Sequence, residues 1–278
     1  MDEDHFTIAI IGLGLMGGSF AYALRGFRDC RIIGYDRDPA TLRAAEAQGA
    51  IRQAAASMED AVSGADLVIF CTYPGTIVQD IRRCAGYYKK TAVVTDICGV
   101  KQPLLADLPQ EYIGIHPMAG KELDGFTHAE AGIFKNAGFI LVPQDQCRQE
   151  SIDLLTEMAR YVGAGRVILN AAPEHDRIIA YTSDLMHITA AALCYAYPAG
   201  MTMAHTAGAF RDCTRVANLN PALWTELLLL NKDNIVPVLE QLIQNLDGFK
   251  QALKNEDQVY LRHFLATACA NKKTMQQL

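Results

Sequence analysis

The chain is expected to fold as an α/β unit built on a doubly wound parallel sheet, followed by an all-α C-terminal domain. Three observations predict this: a glycine-rich turn directly after a short β-branched run, apolar strands alternating with helical segments as far as residue 169, and a nearly all-helical pattern from 174 to 272. With 278 residues, half of them hydrophobic, there is ample capacity for a core and for two domains.

The first element, Phe6 to Ile11, leads straight into Gly12-Leu13-Gly14-Leu15-Met16-Gly17, which matches G-x-G-x-x-G in the strand-to-helix context the motif requires. Ser19 to Arg28 reads as the helix and Arg31 to Tyr35 as the second strand, and Asp36 follows nineteen positions after Gly17. Gly12 permits a tight turn, Gly14 lets backbone N–H groups approach a pyrophosphate, Gly17 lets helix pack on strand, and the helix N-terminus offers partial positive charge. The unit is therefore expected to be Rossmann-type with NAD as its cofactor, Leu13, Leu15 and Met16 completing the cofactor loop. Asp36 would accept the adenosine ribose hydroxyls and repel a 2′-phosphate, favouring NAD over NADP, and Arg37 beside it weakens that preference. The competing reading is a glycine-rich turn without a ligand.

Asp66 to Cys71 reads as a third strand ending at Thr72-Tyr73-Pro74-Gly75, and Thr91 to Asp96 as a fourth ending at Ile97-Cys98-Gly99-Val100-Lys101. Both ends should line the crevice, so Cys71, Thr72, Tyr73, Asp96 and Gly99 are candidate cofactor contacts. Helices are expected between the strands, at roughly 40–49, 76–86 and 101–108. The fifth strand, Ile113-Gly114-Ile115-His116, stops at an imidazole followed by Pro117 and Gly120, which is how an open α/β sheet delivers a catalytic group to its crevice. Its rival is a histidine that ends a strand by chance. Gly138 to Val142 makes a sixth strand, Ser151 to Tyr161 a helix and Gly165 to Leu169 a seventh strand, after which Pro173 opens a different regime. The expected division is a dinucleotide-binding domain over 1–172 and a helical substrate-binding and dimerisation domain over 173–278.

In the second part Leu185, Ile188, Ala192 and Tyr195 recur at helical spacing, as do Trp224, Leu227, Leu228 and Asn231, and Leu239, Leu242, Leu246 and Phe249. Several helices are apolar on more than one face, more than a bundle of this size buries alone, so a homodimer through the helical domain is expected. A net charge of −6 without Lys/Arg runs argues against nucleic acid. The absence of a signal-like N-terminus and of an uninterrupted apolar span points to a cytoplasmic protein with no membrane partner. Eight cysteines without C-x-x-C or histidine pairing read as reduced thiols, with no metal site, and Cys71 and Cys98 read as packing residues rather than nucleophiles.

Taken together, the Gly12 to Ser19 loop, the Asp96 to Lys101 turn, Ile115-His116-Pro117-Met118-Ala119-Gly120-Lys121-Glu122, His175-Asp176, Ser183 to His187, and Phe210 to Ala217 with Trp224 resemble the prephenate/arogenate dehydrogenase family of tyrosine biosynthesis. The likeness runs from residue 6 to about 235, with the motifs in the family's order. It implies NAD-dependent oxidative decarboxylation of prephenate, in which hydride leaves the carbinol carbon for NAD, the ring carboxylate departs as CO₂ and the ring aromatises. By the same resemblance His116 hydrogen-bonds the ring hydroxyl and accepts its proton, Arg215 clamps a substrate carboxylate, His187 and Trp224 belong to the substrate pocket, and Glu122 lies at its mouth. From the residues alone, Arg211 and Arg215 share a helix face and would more readily be a solvated pair with Asp212 and Glu226, and His187 and Trp224 would be core. His175-Asp176 matches a family helix start and reads as a structural cap. The resemblance implies the dehydrogenase alone, without a fused chorismate mutase or ACT domain.

Three positions depart from the family pattern. The serine expected after the fourth strand, which assists the histidine at the substrate hydroxyl, is Gly99, for which water, Thr72 or the ribose could substitute. A pocket histidine is replaced by Asp184, which would favour the ammonium of arogenate over the keto group of prephenate. Lys121 adds a cation that pulls the other way. Prephenate is the first expectation and arogenate the second. A β-hydroxyacid dehydrogenase would need a helical-domain lysine, and the lysines there begin at 232 with no G-x-x-x-K on the first long helix; a non-catalytic NAD-binding protein has only Gly99 in its favour.

Overall fold

The computed structural model describes residues 5–105, 108 and 112–276. β1 (Thr7–Ile11) feeds the Gly12 turn and α1 (Leu15–Ala23). The helix starts and stops about four residues earlier than expected, because Gly14 serves as its N-cap and the chain then passes through left-handed backbone at Gly26 and Arg28 (φ +80° and +52°). β2 (Arg31–Tyr35) precedes α2 (Pro39–Ala47), whose Asp38 cap accepts from the backbone N–H groups of Ala40 and Thr41 while Pro39 occupies the first turn. Next come β3 (Gln53–Ala54), α3 (Met58–Val62), β4 (Leu67–Phe70), α4 (Pro74–Arg83), β5 (Val93–Asp96) and α5 (Gln102–Leu105). Of the helix expected over 101–108, residues 106 and 107 lie outside the described residues. β6 (Ile113–Pro117), β7 (Gly138–Pro143), α6 (Gln149–Tyr161) and β8 (Arg166–Leu169) complete the α/β part.

The first sheet is wholly parallel in the order β3-β2-β1-β4-β5. Its connections reverse direction between β1 and β4, the switch point at which such sheets bind ligands beyond the strand carboxyl ends. Ile8 and Ile10 face one core layer while Ala9 and Ile11 face the other, which is why the strand reads as continuously apolar. The later strands depart from the expected single doubly wound sheet: β6, β7 and β8 form a second sheet in which β6 runs antiparallel to β7. A parallel bridge between Val94 and Tyr112, and the Thr95 hydroxyl donating to the Ile113 carbonyl at 2.6 Å, tie β6 to β5. The carboxyl end of β6, carrying His116, therefore emerges on the same edge as Gly12, Asp36, Cys71 and Gly99.

α7 (Ala172–Ile179) continues through a π-helical turn, Ala180–Asp184, into α8 (Leu185–Tyr195), and α9 (Gly208–Thr214), a 3-10 turn over Arg215–Ala217 and α10 (Pro221–Leu230) follow. By packing, the chain divides into Met1–Asn231 and Lys232–Leu278. That division falls later than the change of element type at 172–173, since α7 to α10 belong to the first unit. The second unit holds α11 (Lys232–Lys254) and α12 (Gln258–Met275), with Phe249 edge-to-face on Phe264 at 5.3 Å. Leu193, Tyr195 and Leu229 are exposed in the first unit, and Ile243, Leu246, Leu253, Val259 and Leu265 in the second.

The turn after β1 has no room for side chains at two points. A Cβ on Gly17 would lie 1.8 Å from the Gly12 carbonyl oxygen, and one on Gly12 would lie 2.8 Å from the carbonyl oxygen of Cys71. Gly17→Ala is therefore expected to destabilise the protein by about 3 kcal/mol, the upper end of ordinary overpacking, because backbone rather than a pliable side chain must move. Chemical denaturation would read this, and an unchanged midpoint would contradict the packing described.

Candidate active site

The cofactor end of the crevice is built from backbone. Gly14 caps α1 without a side-chain partner, and a Cβ there would meet nothing within 4 Å, so the space in front of the helix N-terminus is open. Asp36, just past β2, accepts from the Leu13 N–H at 2.7 Å through Oδ2 and from the Asp38 N–H at 2.9 Å through Oδ1. The carboxylate thus holds the loop in place, and each oxygen keeps a lone pair for a ribose hydroxyl. Leu13 itself is core, Leu15 and Met16 are half-buried, and Arg37 is exposed beside Asp36. The residues present fit a dinucleotide: an open helix N-terminus, a loop without side-chain obstruction and a carboxylate at the end of β2.

Beyond β4, Thr72 donates its hydroxyl to Asp80 at 3.0 Å, which commits it to α4 rather than to a substrate. Tyr73 caps α4, and its hydroxyl accepts from Asn220 at 3.3 Å. Burial pushes the Cys71 thiol far up, and the Cys98 thiol up to about 12, so both are protonated packing groups.

His116 sits near the end of β6, opposite Ile140 of β7, and is only partly exposed. Its Nδ1 lies 2.9 Å from His175 Nε2, and His175 Nδ1 lies 2.7 Å from Asp176 Oδ1. Asp176 also accepts from the Lys101 N–H through Oδ1 and from the Gln102 N–H through Oδ2, both at 2.8 Å. His175-Asp176 was expected to cap its own helix. Both residues instead lie inside α7, whose N-cap is Ala171, and Asp176 secures the start of α5 while His175 backs His116.

Lys101 is fully buried and pairs through Nζ with Asp96 Oδ1 at 2.9 Å, while Asp96 Oδ2 has no hydrogen-bond partner. The Lys101 stem crosses Gly114, where a Cβ would come within 2.8 Å of its Cδ. Asp96 is thus an internal counter-ion rather than an open cofactor contact. Burial first, then His175 and Lys101, hold the His116 imidazole well below the ordinary histidine value, so it is neutral and able to accept a proton. A Cβ on Gly99 would lie 3.9 Å from His116 Nε2 and 3.5 Å from Leu227 Cδ2. The unused nitrogen of His116 therefore faces the turn that ends β5.

A second cluster gathers around α8 and α10. His187 stacks on Trp224 with centroids 3.7 Å apart, and its Nδ1 reaches the Ser183 carbonyl at 2.9 Å. Burial lowers its pKa first, and Arg215 and Glu122 are close enough to shift it in opposite directions. Arg215 forms an ion pair with Glu122. Arg215 lies in the 3-10 turn beyond α9, so it does not continue one regular helix face from Arg211. Glu226 accepts from the Gly75 N–H at 2.9 Å, which leaves Glu122 as the partner of Arg215. Lys121 pairs with Glu130 at 2.7 Å.

Asp184 is 3% exposed and accepts from the Asn231 amide at 2.7 Å, and the same amide donates to the Asp176 carbonyl at 3.0 Å. Its surroundings suit a role inside the fold better than selection of an ammonium. Sequence reasoning missed His175, Asp176, Lys101 and Asn231 as members of this network. The visible signal was an adjacent His-Asp pair in a chain with few histidines, together with a lysine closing the Asp96 turn. Among the described residues no three His, Cys, Asp or Glu side chains gather as a metal cluster would, and no helix is long and apolar enough to cross a membrane.

Comparison with known proteins follows the same outline. The nucleotide-binding domain model of prephenate dehydrogenase matches residues 20–169, and the prephenate dehydrogenase dimerization domain model matches residues 171–267. Prephenate dehydrogenase of Bacillus subtilis is 32% identical over 283 residues, covering 96% of this chain and 76% of that protein. Cyclohexadienyl dehydrogenase of Zymomonas mobilis is 32% identical over 275 residues, 92% of each. The crystal structure of prephenate dehydrogenase from A. aeolicus in complex with hydroxyphenyl propionate and NAD+ matches with a TM-score of 0.86 at 26% identity, covering 99% of this chain and 100% of that one.

The buried carboxyl of Asp184 has a measurable pH signature. Burial pushes its pKa up from 3.8 to about 6, against the opposing hydrogen bond from Asn231. The folded state therefore holds this proton more tightly than the unfolded chain does, and the contribution to stability falls as pH rises from about 3.8 to about 6. Asp184→Asn, which keeps an acceptor for Asn231, should gain on the wild type across that window by about 2–3 kcal/mol and then stay level. Urea denaturation of both proteins as a function of pH would test it; a difference that does not change with pH would refute the assignment.

Proposed function

The chain belongs to the prephenate dehydrogenase family, and from that premise we propose that it catalyses the NAD-dependent oxidative decarboxylation of prephenate to 4-hydroxyphenylpyruvate in tyrosine biosynthesis. The observation that carries the reading is His116: a neutral imidazole on the ligand-binding edge of the sheet, held from behind at Nδ1 and open at Nε2 toward the Gly99 turn.

NAD, when bound, supplies the hydride acceptor. The open N-terminus of α1 and the Gly12–Gly17 backbone would hold its pyrophosphate, and Asp36 its adenosine ribose. His116 Nε2 accepts the proton of the ring hydroxyl as that carbon becomes a carbonyl; when the ring carboxylate leaves as CO₂ its electron pair passes through the ring to that oxygen, which takes the proton back from His116 to give the phenol. Arg215 offers two parallel N–H donors to a substrate carboxylate, exchanging or sharing its present partner Glu122. Trp224, stacked on His187, gives the ring an apolar wall. Lys121 is already neutralised by Glu130. With Asp184 buried on Asn231, no exposed carboxylate at that position speaks for arogenate, and prephenate remains the preferred substrate. The exposed apolar residues of α8, α11 and α12, within the residues matched by the dimerization model, support a homodimer.

Two measurements bear on this reading. His116→Asn removes the proton acceptor and should lower kcat at least about a hundredfold with KM less affected, read from NADH absorbance with prephenate as substrate. A wild-type kcat in that variant would remove His116 from the chemistry. Gly99→Ser should be accommodated without strain and bring a hydroxyl to the His116 Nε2 side; one additional hydrogen bond of about 0.5–1.5 kcal/mol at the developing carbonyl corresponds to a gain in kcat of roughly two- to tenfold. A marked loss of rate with unchanged stability would show that the turn is needed empty.

A further inference from the structure

A neutral imidazole has two tautomers, and only the one with a bare Nε2 lets His116 take a proton from the Gly99 side. Nothing in His116 itself selects between them. Behind it the structure holds a fixed series of acceptors. Asp176 Oδ1 receives the Lys101 N–H and Oδ2 the Gln102 N–H, each at 2.8 Å. A carboxylate accepts only, so the contact at 2.7 Å requires His175 to carry its proton on Nδ1 and donate it to Asp176. With His175 neutral, its Nε2 is then a lone pair, lying 2.9 Å from His116 Nδ1. Two lone pairs do not meet at that distance, so the proton between the rings belongs to His116 Nδ1.

We infer that His175, oriented by Asp176, is a positioning residue that sets the tautomer of His116, holding its proton on Nδ1 and leaving Nε2 bare for the substrate hydroxyl. His175 lies too far inside to touch substrate, being 1% exposed and behind the catalytic ring. The two rings are 5.1 Å apart at 59°, which aligns an edge-to-edge nitrogen contact rather than a stack. The backbone N–H groups of Lys101 and Gln102 cannot turn away, so the direction of the whole chain of bonds is fixed by the fold and not by rotamer choice. The inference deepens the function proposed above and rests on His116 being its base.

The test uses the full-length protein in two ways. In ¹⁵N-histidine spectra near neutral pH, with the His116 signals assigned by their loss in His116→Asn, wild-type His116 should show a protonated Nδ1 and a bare Nε2, and His175→Ala should show both tautomers. In steady-state assays with NAD and prephenate, His175→Ala should lose about ten- to hundredfold in kcat with KM within about twofold, and His175→Gln, whose amide oxygen can replace the lost acceptor, should recover most of that loss. A wild-type His116 protonated on Nε2 overturns the inference. So does a His175→Ala protein whose spectrum and kcat match the wild type, or one in which Gln rescues stability but neither the tautomer nor kcat. If His175→Ala does not fold, the wild-type spectrum and the Gln variant decide. If prephenate is not turned over at all, the substrate assignment fails while the spectra still judge the tautomer.

Discussion

The site depends on one carboxylate, that of Asp176. It lies on α7, yet its two oxygens hold the backbone N–H groups of Lys101 and Gln102 at the start of α5 and the imidazole of His175. Charge-assisted hydrogen bonds of this kind are worth about 1.5–3 kcal/mol each, and the Lys101 N–H left unpaired by their loss would be buried. The same contacts fix the position of the turn after β5, where Lys101 reaches back to Asp96 and where Gly99 faces His116. A helix from the all-α part of the sequence thereby positions the His116 imidazole on a strand of the α/β part. Asn231, at the end of α10, joins the arrangement by donating to the Asp176 carbonyl and to Asp184. Helix α7 and the end of α10 are thus part of how the sheet edge is shaped.

Asp36 plays the corresponding part at the other end of the crevice. By accepting from the Leu13 and Asp38 N–H groups it ties the glycine-rich turn to the end of β2, while Gly12 and Gly17 are pressed so close to neighbouring backbone that no larger residue fits. The loop is held in place by the close backbone approach at Gly12 and Gly17 and by the bond from the Leu13 N–H to Asp36, which favours binding an anion with little reorganisation. Asp36 and Asp176 use the same device, a carboxylate that accepts backbone N–H groups of a segment distant in sequence: Leu13 for Asp36, and Lys101 with Gln102 for Asp176.

Much of this was legible in the sequence wherever the signal is local. The β1 run, the G-x-G-x-x-G turn and Asp36 are close in the chain, and their spacing is dictated by one strand-turn-helix-strand unit, so the first sheet and the fit to NAD could be read directly. The place of His116 at the carboxyl end of a strand was legible because the apolar run stops at histidine and proline. The antiparallel turn of β6 onto β7 was not, because an apolar strand reads the same in either direction, and β3 is too short for any periodicity. The burial of Asp184 was not legible because a family position does not say which way a side chain faces; a π-helical turn over Ala180–Asp184 carries it inward to Asn231. His175 and Asp176 were read as a cap because adjacency is visible in sequence, whereas the strand 59 residues away that completes the pair with His116 is not.

The buried Lys101–Asp96 pair keeps a cation beside the imidazole proposed as the base. Near His116 it disfavours the imidazolium, as burial and His175 also do, so the base is weaker than an ordinary histidine but always ready. For a proton transfer to a poor acceptor to be productive, the donor must become strongly acidic during the reaction. In the proposed reaction it does: the hydroxyl turns into a carbonyl as hydride departs, so the proton is released toward Nε2 at the moment of bond change and is not abstracted beforehand. A stronger base would be partly protonated before substrate arrives and would forfeit that fraction of the enzyme. The buried lysine, set against Gly114 where no side chain could stand, is therefore consistent with a site in which readiness of the base matters more than its strength, and in which the driving force comes from aromatisation of the substrate.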